Sequence, residues 1–396
     1  MKAKCLVCDA SSERLIYQQS NVPIHSVRLA KSAEQSLSAA VGDIALYHCN
    51  KCSMVWNHAF NPSFMHYDAD YEETQGFSAT FMQFHNHLAN DIFKQHSMRG
   101  KTVVEIGCGK GEYLTKLAEL GIGHGIGFDP TFDPNRLEAN ENLSFVRDFF
   151  PPKTEKVSGY AFDYRQADFY LCKMTLEHIH QPKMFMLELN KIILNDDAVV
   201  IMQLPAFERI IEEVAYWDIY YEHCNYFSEQ SLSRLFRGSG FEVDDVSKIF
   251  DKHYLHIVAR VNRTQTKQTT IIDNSKEIDR FSKLITQRQQ HWGDLLYPAA
   301  ARHSLLIWGA ASKAVSLINA IPELKSNTCL VDINPHKQGT FLPSTGLIIT
   351  SPEDLKGRSF DLILVANPIY LNEVQAEINR LDIQGHLVSL LDSPPV

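Results

Sequence analysis

Short apolar runs alternate with helical segments through the middle of the chain. Each run is rich in β-branched or aromatic residues, and from Lys101 onward they read TVVEIG, GIGHGIGFD, LSFVRDFF, ADFYLCKM, AVVIMQLP, GFEVDDVSKIF and YLHIVARV. Buried strands of a parallel sheet have this nearly continuous apolar character. The pattern predicts a doubly wound α/β domain that, with a preceding lid and connecting helix, covers residues 67–262.

A second series of strand and helix patterns begins at Leu305. It reads LLIWGAASKAVSLINAI, TCLVDIN, DLILVAN and HLVSLL, and it predicts a smaller Rossmann-like α/β domain over residues 299–396. Between the two series, residues 263–298 are charged and contain no glycine before Gly293, which predicts a helical linker.

Two further segments precede the first strand of the predicted sheet. Residues 1–66 are rich in turns, cysteine and histidine, and we expect them to form a separate small module. The following loop is polar and aromatic, and its Tyr67 and Tyr71 are placed where a phenol could face a ligand. The loop then acquires helical spacing of apolar side chains, which we expect to pack, at Phe77, Phe81, Phe84, Leu88 and Ile92.

Composition narrows the classes of function. The chain has 396 residues, 44% hydrophobic and 21% charged, and no apolar run of 18 residues that could span a bilayer. A net charge of −9 argues against partners such as nucleic acid or an anionic membrane, and favours a small-molecule substrate. The first residues, MKAKCLVCDA, have no apolar stretch typical of a secretory signal, so we expect a cytoplasmic protein. The oligomeric state is left open.

Four of the eight cysteines form two CxxC pairs, Cys5 with Cys8 and Cys49 with Cys52. Two such knuckles supply the four thiolates of a closed, tetrahedral, structural zinc site. The module also has few apolar residues, so a metal would help it to fold. Four free thiols or a redox pair are the alternatives, and His48 and His58 are possible substitute ligands.

A strand, a glycine turn and a helix start follow one another in VVEIGCGKGEYLTKL. Gly107, Gly109 and Gly111 let the backbone approach a ligand closely. Glu105 lies two residues before the first glycine, and Asp129 ends the next strand. This combination predicts S-adenosylmethionine binding, with the backbone around the methionyl part and Asp129 on the ribose hydroxyls. A nicotinamide dinucleotide or a purely structural turn is the alternative.

Residues at the ends of the next two strands are further candidates for binding S-adenosylmethionine, the methyl donor. Asp148 and Phe149 follow the third strand, where they could hold the adenine amino group and ring face. Lys173 lies in LCKMTLEHI at the end of the fourth strand, which we expect to face the donor sulfur. In the same segment Glu177 and His178 have a functional or a structural role.

The segment AYWDIYYEHCNYFSEQSL is dense in ionisable and aromatic groups. Eleven positions hold Tyr216, Tyr220, Tyr221, Glu222, His223 and Tyr226. A buried polar network of this kind is costly unless it is used. His223 is the candidate general base, because an imidazole removes a proton best near neutral pH, and Glu222 would orient it or bind substrate. A structural histidine is the alternative.

Taken together, these motifs resemble the sugar C-methyltransferase family. The resemblance covers nearly the whole chain and depends on CxxC…CxxC, EIGCGKG, the Y-x-E-H element followed by YFS, and the pair WGAASKA and VDINPHKQGTFLP. It implies that His223 abstracts a proton alpha to the ketone of a nucleotide-linked 4-keto-6-deoxysugar, giving an enolate that attacks the donor methyl. It also implies that Tyr220 and Glu222 are substrate-site partners and that Tyr71 contributes from the front loop.

The chain departs from the family pattern at two places. The family's glycine-rich GGSLR-like element is replaced by DKHYLHIVARV, and YHEH is replaced by YYEH. A methyltransferase for another natural-product or carbohydrate scaffold, acting on carbon or oxygen, therefore stays open. A noncatalytic module that binds zinc and a nucleotide is the alternative from another class.

The turn GAASKA in the terminal domain lacks the full GxGxxG pattern. It offers Ser312 and Lys313 instead, and the lysine could pair with a diphosphate or stay solvated. NAD binding through Gly309 and Asp332 is the rival interpretation.

Overall fold

Three sheets of four or more strands organise the chain in this computed structural model. The structure describes residues 3–12, 14–68, 70–152, 162–263 and 274–392. In chain order the strands are β1 (Ala3–Lys4), β2 (Ser11–Ser12), β3 (Arg14–Pro23), β4 (Val41–His48), β5 (Val55–Asn57), β6 (Thr102–Ile106), β7 (His124–Phe128), β8 (Leu143–Val146), β9 (Phe169–Lys173), β10 (Val199–Pro205), β11 (Asn225–Tyr226), β12 (Phe241–Ile249), β13 (Tyr254–Val261), β14 (Leu305–Trp308), β15 (Thr328–Val331), β16 (Ile349–Thr350), β17 (Ser359–Val365) and β18 (Gln384–Ser389).

Helices cover the two larger sheets and connect the units. They are α1 (Ala33–Leu37), α2 (Ala79–Gln95), α3 (Glu112–Leu120), α4 (Pro182–Ile192), α5 (Phe207–Glu213), α6 (Glu229–Gly238), α7 (Ser275–Ala301), α8 (Ser312–Ala320) and α9 (Leu371–Arg380). None of the helices in the described ranges is both long and apolar enough to cross a membrane.

The front sheet has the order β11-β5-β4-β3 and is antiparallel. Its edge strand β11 comes from the segment that contains the predicted base, about 170 residues further along the chain than β5. Asn225 pairs with Trp56 and Tyr226 with Val55. The front module and the middle domain therefore share one sheet.

The middle sheet has the order β12-β13-β10-β9-β6-β7-β8. Five strands are parallel, as the apolar runs predict, but β13 runs antiparallel to β10 and forms a hairpin with β12. The expectation of a wholly parallel sheet is wrong at this edge. A four-residue connection joins β12 to β13, with left-handed backbone at Phe250, Asp251 and Lys252, and a connection this short can only make an antiparallel pair.

The terminal sheet is parallel, with the order β16-β15-β14-β17-β18. The predicted Rossmann-like unit is thus present, and it contains a fifth, two-residue strand, β16, which the four predicted runs did not include. Both α/β sheets reverse strand order beside their first strand, β6 in the middle domain and β14 in the terminal one. In such sheets ligands bind at the carboxyl ends of the strands beside that point.

The predicted linker is a helix, α7, and it lies in the core. Its buried side chains include Ile278, Phe281, Ile285, Trp292 and Leu296, which share one apolar cluster with residues of all three units. Residues 264–273 of that prediction lie outside the described residues. A helix buried on this face fixes the units against one another, while the domain boundaries themselves stay a prediction.

Candidate functional site

One large cavity lies where the front loop, the middle sheet and the terminal sheet meet. Its volume is about 1120 Å³, and its walls include residues from the carboxyl ends of β6, β9, β10, β14 and β17. A pocket for one drug-sized ligand measures roughly 300–1,000 Å³. The volume of this cavity therefore lies just above the upper end of that range.

The glycine turn after β6 forms one wall of this cavity. Gly107 has φ +68°, and a Cβ there would lie 2.0 Å from Oγ1 of Thr175. Gly109 has φ +54°, and a Cβ there would approach Glu73 to 2.8 Å. Larger residues cannot take this path, so the turn is a cradle for a ligand that touches backbone.

Gly111 has a different role from the other two glycines. It caps α3 with φ +82°, and a Cβ there would lie 2.6 Å from Leu137 and Phe145. It is absent from the described cavity walls. Its side-chain hydrogen allows the helix to pack closely against β8 and the loop before it.

Asp129 holds the glycine turn at the end of β7. Its carboxylate accepts from the amide of Gly109 at 2.9 Å and from the amide and hydroxyl of Thr131, both at 2.7 Å. Asp129 also lines the cavity, as a ligand for ribose hydroxyls must.

Glu105 and Lys173 lie on the same face of neighbouring strands at the cavity. Glu105 is 2% exposed, and its Oε2 has no hydrogen-bond partner. The Lys173 ammonium lies 3.4 Å from the ring centroid of Tyr113. Burial raises the pKa of Glu105 and lowers that of Lys173.

The predicted adenine residues divide between wall and periphery. Phe149 lines the cavity, with its ring 6.3 Å from that of Tyr67. Asp148 is not among the described wall residues, and its carboxylate accepts a 2.8 Å hydrogen bond from the amide of Phe149. The structure thus places Phe149 on the cavity wall but not Asp148.

His223 faces the same cavity from the segment between α5 and β11. Its ring lies edge-on to His178 at 4.8 Å and to Tyr220 at 4.7 Å. Burial, with a smaller effect from His178, lowers the pKa of His223 to about 3. The imidazole is thus neutral and ready to accept a proton, and an anion nearby would strengthen it as a base.

Glu222 joins the front module to the segment that contains the candidate base His223. It accepts hydrogen bonds from the Ser26 amide at 3.0 Å, the Ser26 hydroxyl and the Tyr71 hydroxyl at 3.0 Å, and His25 lies 3.5 Å away. Burial alone would raise the pKa of Glu222, but contacts with His25, His178 and Ser26 lower it to about 2. Glu222 is an ionised carboxylate whose partners come from the protein itself.

Tyr220 belongs to a second polar network that includes the terminal domain. Its hydroxyl donates to Asp218 at 2.6 Å, and Asp218 also binds Arg209 and Lys313. Ser312 contacts the Ser26 hydroxyl at 2.7 Å. Lys313 is therefore held by a carboxylate instead of being solvated.

The terminal turn uses its aspartate internally. Asp332 accepts from the amides of Ala310 and Asn334, both at 2.9 Å, and pairs with Lys337 at 3.2 Å. Gly309, with φ +102°, lines the cavity. Asp332 is thus paired with a cation of the protein, whereas the partners of Asp129 are two amides and a hydroxyl.

Sequence reasoning missed two residues that meet the catalytic segment and left a third undecided. His25 and Ser26 reach Glu222 from nearly 200 positions away, and no local pattern marks them. Glu177 is 1% exposed, neither of its carboxylate oxygens has a partner, and burial raises its pKa to about 8. Its carboxyl group lies within 4.8 Å of a ring nitrogen of His178 and of His223. An unpartnered buried acid beside a candidate base is typical of an active site.

The four predicted metal-binding cysteines come together in the front module. Cys5 lies 3.4 Å from Cys52, Cys8 lies 3.6 Å from Cys49, and all four sulfurs are within 4.8 Å of one another. Sulfurs around a tetrahedral zinc, with bonds of about 2.3 Å, are roughly 3.8 Å apart. The set therefore fits a metal ion.

Two known families together match most of the chain, one over the middle domain and the other over the terminal part. The family described as a methyltransferase domain matches residues 80–246, and the C-methyltransferase C-terminal domain family matches residues 252–390. No curated protein matches the chain.

Similar solved structures cover less than half of this chain. A Haloferax volcanii complex of a methyltransferase activator with a putative methyltransferase has 18% identity and a TM-score of 0.36, and the match covers 47% of this chain and 92% of that one. The Burkholderia thailandensis 1,6-didemethyltoxoflavin-N1-methyltransferase has 18% identity and a TM-score of 0.35, with 46% and 81% covered. A SAM-dependent methyltransferase from Aquifex aeolicus has 17% identity and a TM-score of 0.33, with 44% and 89% covered.

Proposed function

Because this chain is an S-adenosylmethionine-dependent C-methyltransferase with the architecture of the sugar C-methyltransferases, we propose that its acceptor is a nucleotide-linked keto-deoxysugar. The observation that carries the proposal is that His223 lies on the wall of the one cavity that also contains the glycine cradle. A carbon acceptor in that cavity would meet the base and the donor together.

The donor supplies an electrophilic methyl group on a positively charged sulfur. His223 takes the proton alpha to the ketone, and the C–H electron pair forms the enolate. The enolate carbon then bonds to the methyl as the methyl–sulfur bond breaks, and the sulfur becomes neutral. The proton stays on His223 until solvent removes it.

Fixed charges around His223 assist the proton transfer. Glu222, ionised and held by Tyr71 and Ser26, stabilises the imidazolium as it forms. Tyr220, whose hydroxyl donates to Asp218, packs against the His223 ring and limits its rotation. Positioning of the base and the acceptor then accounts for most of the work of the site.

The nucleotide of the acceptor would lie toward the terminal domain. That wall carries polar side chains from the loop after β15, including Asn334 and Lys337, as well as Trp308 and Tyr370. Aromatic faces and amide groups are suited to a base and a ribose.

The test is transfer of a labelled methyl from S-adenosylmethionine to a panel of nucleotide 4-keto-6-deoxysugars. We expect label on a ring carbon and exchange of the alpha proton with solvent. His223→Asn should lower both rates by about 10²- to 10⁴-fold, while the exposed His386→Asn should leave them unchanged. Label on oxygen, or exchange that survives in His223→Asn, would contradict the proposal.

A second acceptor class is favoured by the residues that replace the family's glycine-rich element. His253 and Tyr254 line the cavity, with Tyr254 stacked 5.5 Å from Phe250. These bulky rings narrow the space that glycines would leave open. If every nucleotide sugar fails while the donor still binds, another natural-product or carbohydrate scaffold becomes the leading acceptor.

We further propose that the four-cysteine cluster binds one structural zinc ion. The support is its four-sulfur donor set and its distance from the cavity walls, which none of the four cysteines joins. Elemental analysis should find about one zinc per chain, and Cys52→Ser should lose the metal and lower the melting temperature. Cys329→Ser, in the terminal domain, is the control. Purified protein without metal but of unchanged stability would refute the assignment.

A further inference from the structure

The proposed reaction turns the ketone oxygen of the acceptor into an enolate oxygen, which carries a negative charge. One hydrogen-bond donor aimed at such an oxygen typically contributes about 10²- to 10³-fold to the rate. Two phenols on the same cavity wall as His223 already have acceptors within the protein. The Tyr220 hydroxyl donates to Asp218 at 2.6 Å. The Tyr71 hydroxyl donates to Glu222 at 3.0 Å.

Glu177 presents a carboxyl group to this cavity without a partner in the described part of the chain. It lies on the cavity wall but is 1% exposed, and neither of its carboxyl oxygens has a hydrogen-bond partner. Burial raises the pKa of Glu177 to about 8, whereas burial lowers the pKa values of the neighbouring His178 and His223, so both imidazoles are neutral. At pH 7 the Glu177 carboxyl group thus keeps its proton and has an O–H to donate.

The loop after β9 is bonded to the segment around the base, and this fixes Glu177 beside His223. The Cys224 thiol donates to the Glu177 carbonyl at 3.4 Å, and the Asn225 side chain donates to the carbonyl of Ile179 at 2.7 Å. A carboxyl oxygen of Glu177 lies within 4.8 Å of a ring nitrogen of His223. A base above the alpha carbon and a donor at the ketone oxygen stand roughly 4–5 Å apart, given contacts of about 3.2 and 2.7 Å. One ketone with its alpha carbon therefore fits between the two groups.

We propose that Glu177, in its protonated form, donates a hydrogen bond to the ketone oxygen and stabilises the enolate, a role that rests on the function proposed above. As His223 takes the alpha proton, the C–H electron pair forms the carbon–carbon double bond and the π pair of the ketone moves to its oxygen. The π pair returns when the carbon bonds to the methyl group, and Glu177 keeps its proton throughout. An enolate oxygen accepts more than one hydrogen bond, so a second donor from His178 would add to that of Glu177.

The other titratable groups that face Glu177 do not change charge between pH 7 and pH 9. They come from the loop after β9, from β9, from the segment before β11, from the front loop and from β13, and they are His178, Cys172, His223, Cys224, Tyr67 and Tyr254. Burial lowers the pKa values of the two histidines and raises those of the thiols and phenols, with Tyr254 at about 12. A change in rate near pH 8 that depends on residue 177 therefore reports on Glu177 itself.

The first experiment measures exchange of the alpha proton of a nucleotide 4-keto-6-deoxysugar with deuterated solvent, on the full chain and without the methyl donor. Glu177→Leu should lower the exchange rate by about 10²- to 10³-fold. The calorimetric affinity for the keto sugar should stay nearly unchanged, because the hydrogen bond strengthens only as charge develops. Glu177→Gln keeps an N–H donor and should recover most of the rate. Glu208→Gln is the matched control, because burial also raises the pKa of Glu208 but this residue is absent from the described cavity walls.

The pH dependence separates a donor from a merely structural side chain. The wild-type exchange rate should fall as the pH rises through about 8, since the carboxylate that forms there has no proton to donate. Glu177→Gln is neutral at every pH and should lose this fall. The same fall in both proteins, or a Glu177→Leu variant that exchanges as fast as wild type, would overturn the role of Glu177 while carbon methylation stands. Wild type that exchanges the alpha proton of no keto sugar would contradict the proposed function and this role with it.

Infrared spectroscopy tests the protonation of Glu177 without any acceptor. The difference spectrum between wild type and Glu177→Gln at pH 7 should contain the C=O stretch of a protonated carboxyl group. This band should give way to carboxylate bands well above pH 8. Carboxylate bands alone at pH 7 would overturn the assignment, whatever the acceptor of the enzyme is.

Discussion

The turns after β6 and β14 share one local plan but use it in opposite ways. In both, an aspartate after the next strand accepts a turn amide at 2.9 Å, Asp129 from Gly109 and Asp332 from Ala310. At the end of β6, one buried carboxylate oxygen of Glu105 has no partner at the cavity wall. After β14 the charged side chains are paired within the protein, with Lys313 on Asp218 and Lys337 on Asp332.

The difference shows that the same type of turn can either bind a ligand or form part of the cavity wall. A turn beside a buried carboxylate that has no partner in the protein can offer that group to a ligand. A turn of the same topology can instead contact neighbouring units at the start of its helix. It then holds those units together and closes the cavity. The function of such a turn is therefore decided by where its polar side chains find partners, and the following predictions test that difference.

The largest effect is expected from removing the charge of Asp332. Asp332→Asn leaves the buried ammonium of Lys337 without its anion, which should lower the free energy of unfolding by about 4 kcal/mol. Asp129→Asn, with no cation to abandon, should cost about 1 kcal/mol but weaken donor binding about tenfold. Urea denaturation and calorimetry measure the two quantities. Similar profiles for both variants would remove the contrast between the turns.

Filling the glycine cradle should be the next largest effect. In Gly107→Ala the new Cβ meets Thr175 at 2.0 Å on left-handed backbone, so donor affinity should fall about 100-fold. Gly309→Ala is the matched change in the terminal turn, where the nearest atom would be 3.6 Å away. Gly309→Ala should lower the stability, because alanine is strained at a positive φ, and it should leave the donor affinity unchanged. Weaker donor binding in this variant would contradict the role of the terminal turn as a cavity wall that does not bind the donor.

Acid should weaken the attachment of the front module to the segment around His223, because that attachment passes through Glu222. Because its folded pKa of about 2 lies below the usual value of 4.5, its contribution is complete above about pH 4.5 and is lost as the pH falls toward 2. Between pH 6 and pH 3, wild type should lose about 2 kcal/mol of unfolding free energy relative to Glu222→Gln. Parallel pH curves for the two proteins would show that the carboxylate is not stabilised in the fold.

The smallest effect is expected at the contact between Ser312 and Ser26. Ser312→Ala removes a 2.7 Å hydrogen bond, although the Ser26 hydroxyl keeps its bond to Glu222. We expect a loss of about 1 kcal/mol in stability and no change in donor affinity. Ser344→Ala, elsewhere in the terminal domain, serves as the control. A change in donor affinity would mean that the two turns are coupled.

Local patterns predicted the strands and the motifs within them. The apolar runs located every strand of the middle sheet, and the spacing of Glu105, the glycines and Asp129 identified the cradle, because these residues lie within one strand, turn and strand. The spacing of the four cysteines likewise predicted the cluster that they form. Each of these predictions depends on the order of residues within short segments of the chain.

Contacts between units were not predictable in this way. The pairs Ser26 with Glu222 and Asp218 with Lys313 join residues 196 and 95 positions apart. Neither periodicity nor composition marks such partners. The antiparallel direction of β13 was not predictable either, because its apolar run has the same character as that of a parallel strand.

The edge strand β11 has a consequence for how this enzyme can change over evolutionary time. Asn225 and Tyr226 complete the front sheet, two and three residues after His223. The candidate base thus lies two residues before a strand that pairs with the sheet of the front module. The three units cannot be exchanged independently of one another. A front module from another protein would have to offer a strand edge that pairs with β11 as β5 does, because this pairing positions His223. Recombination at the domain boundaries is expected to yield inactive chains unless front and middle units are inherited together.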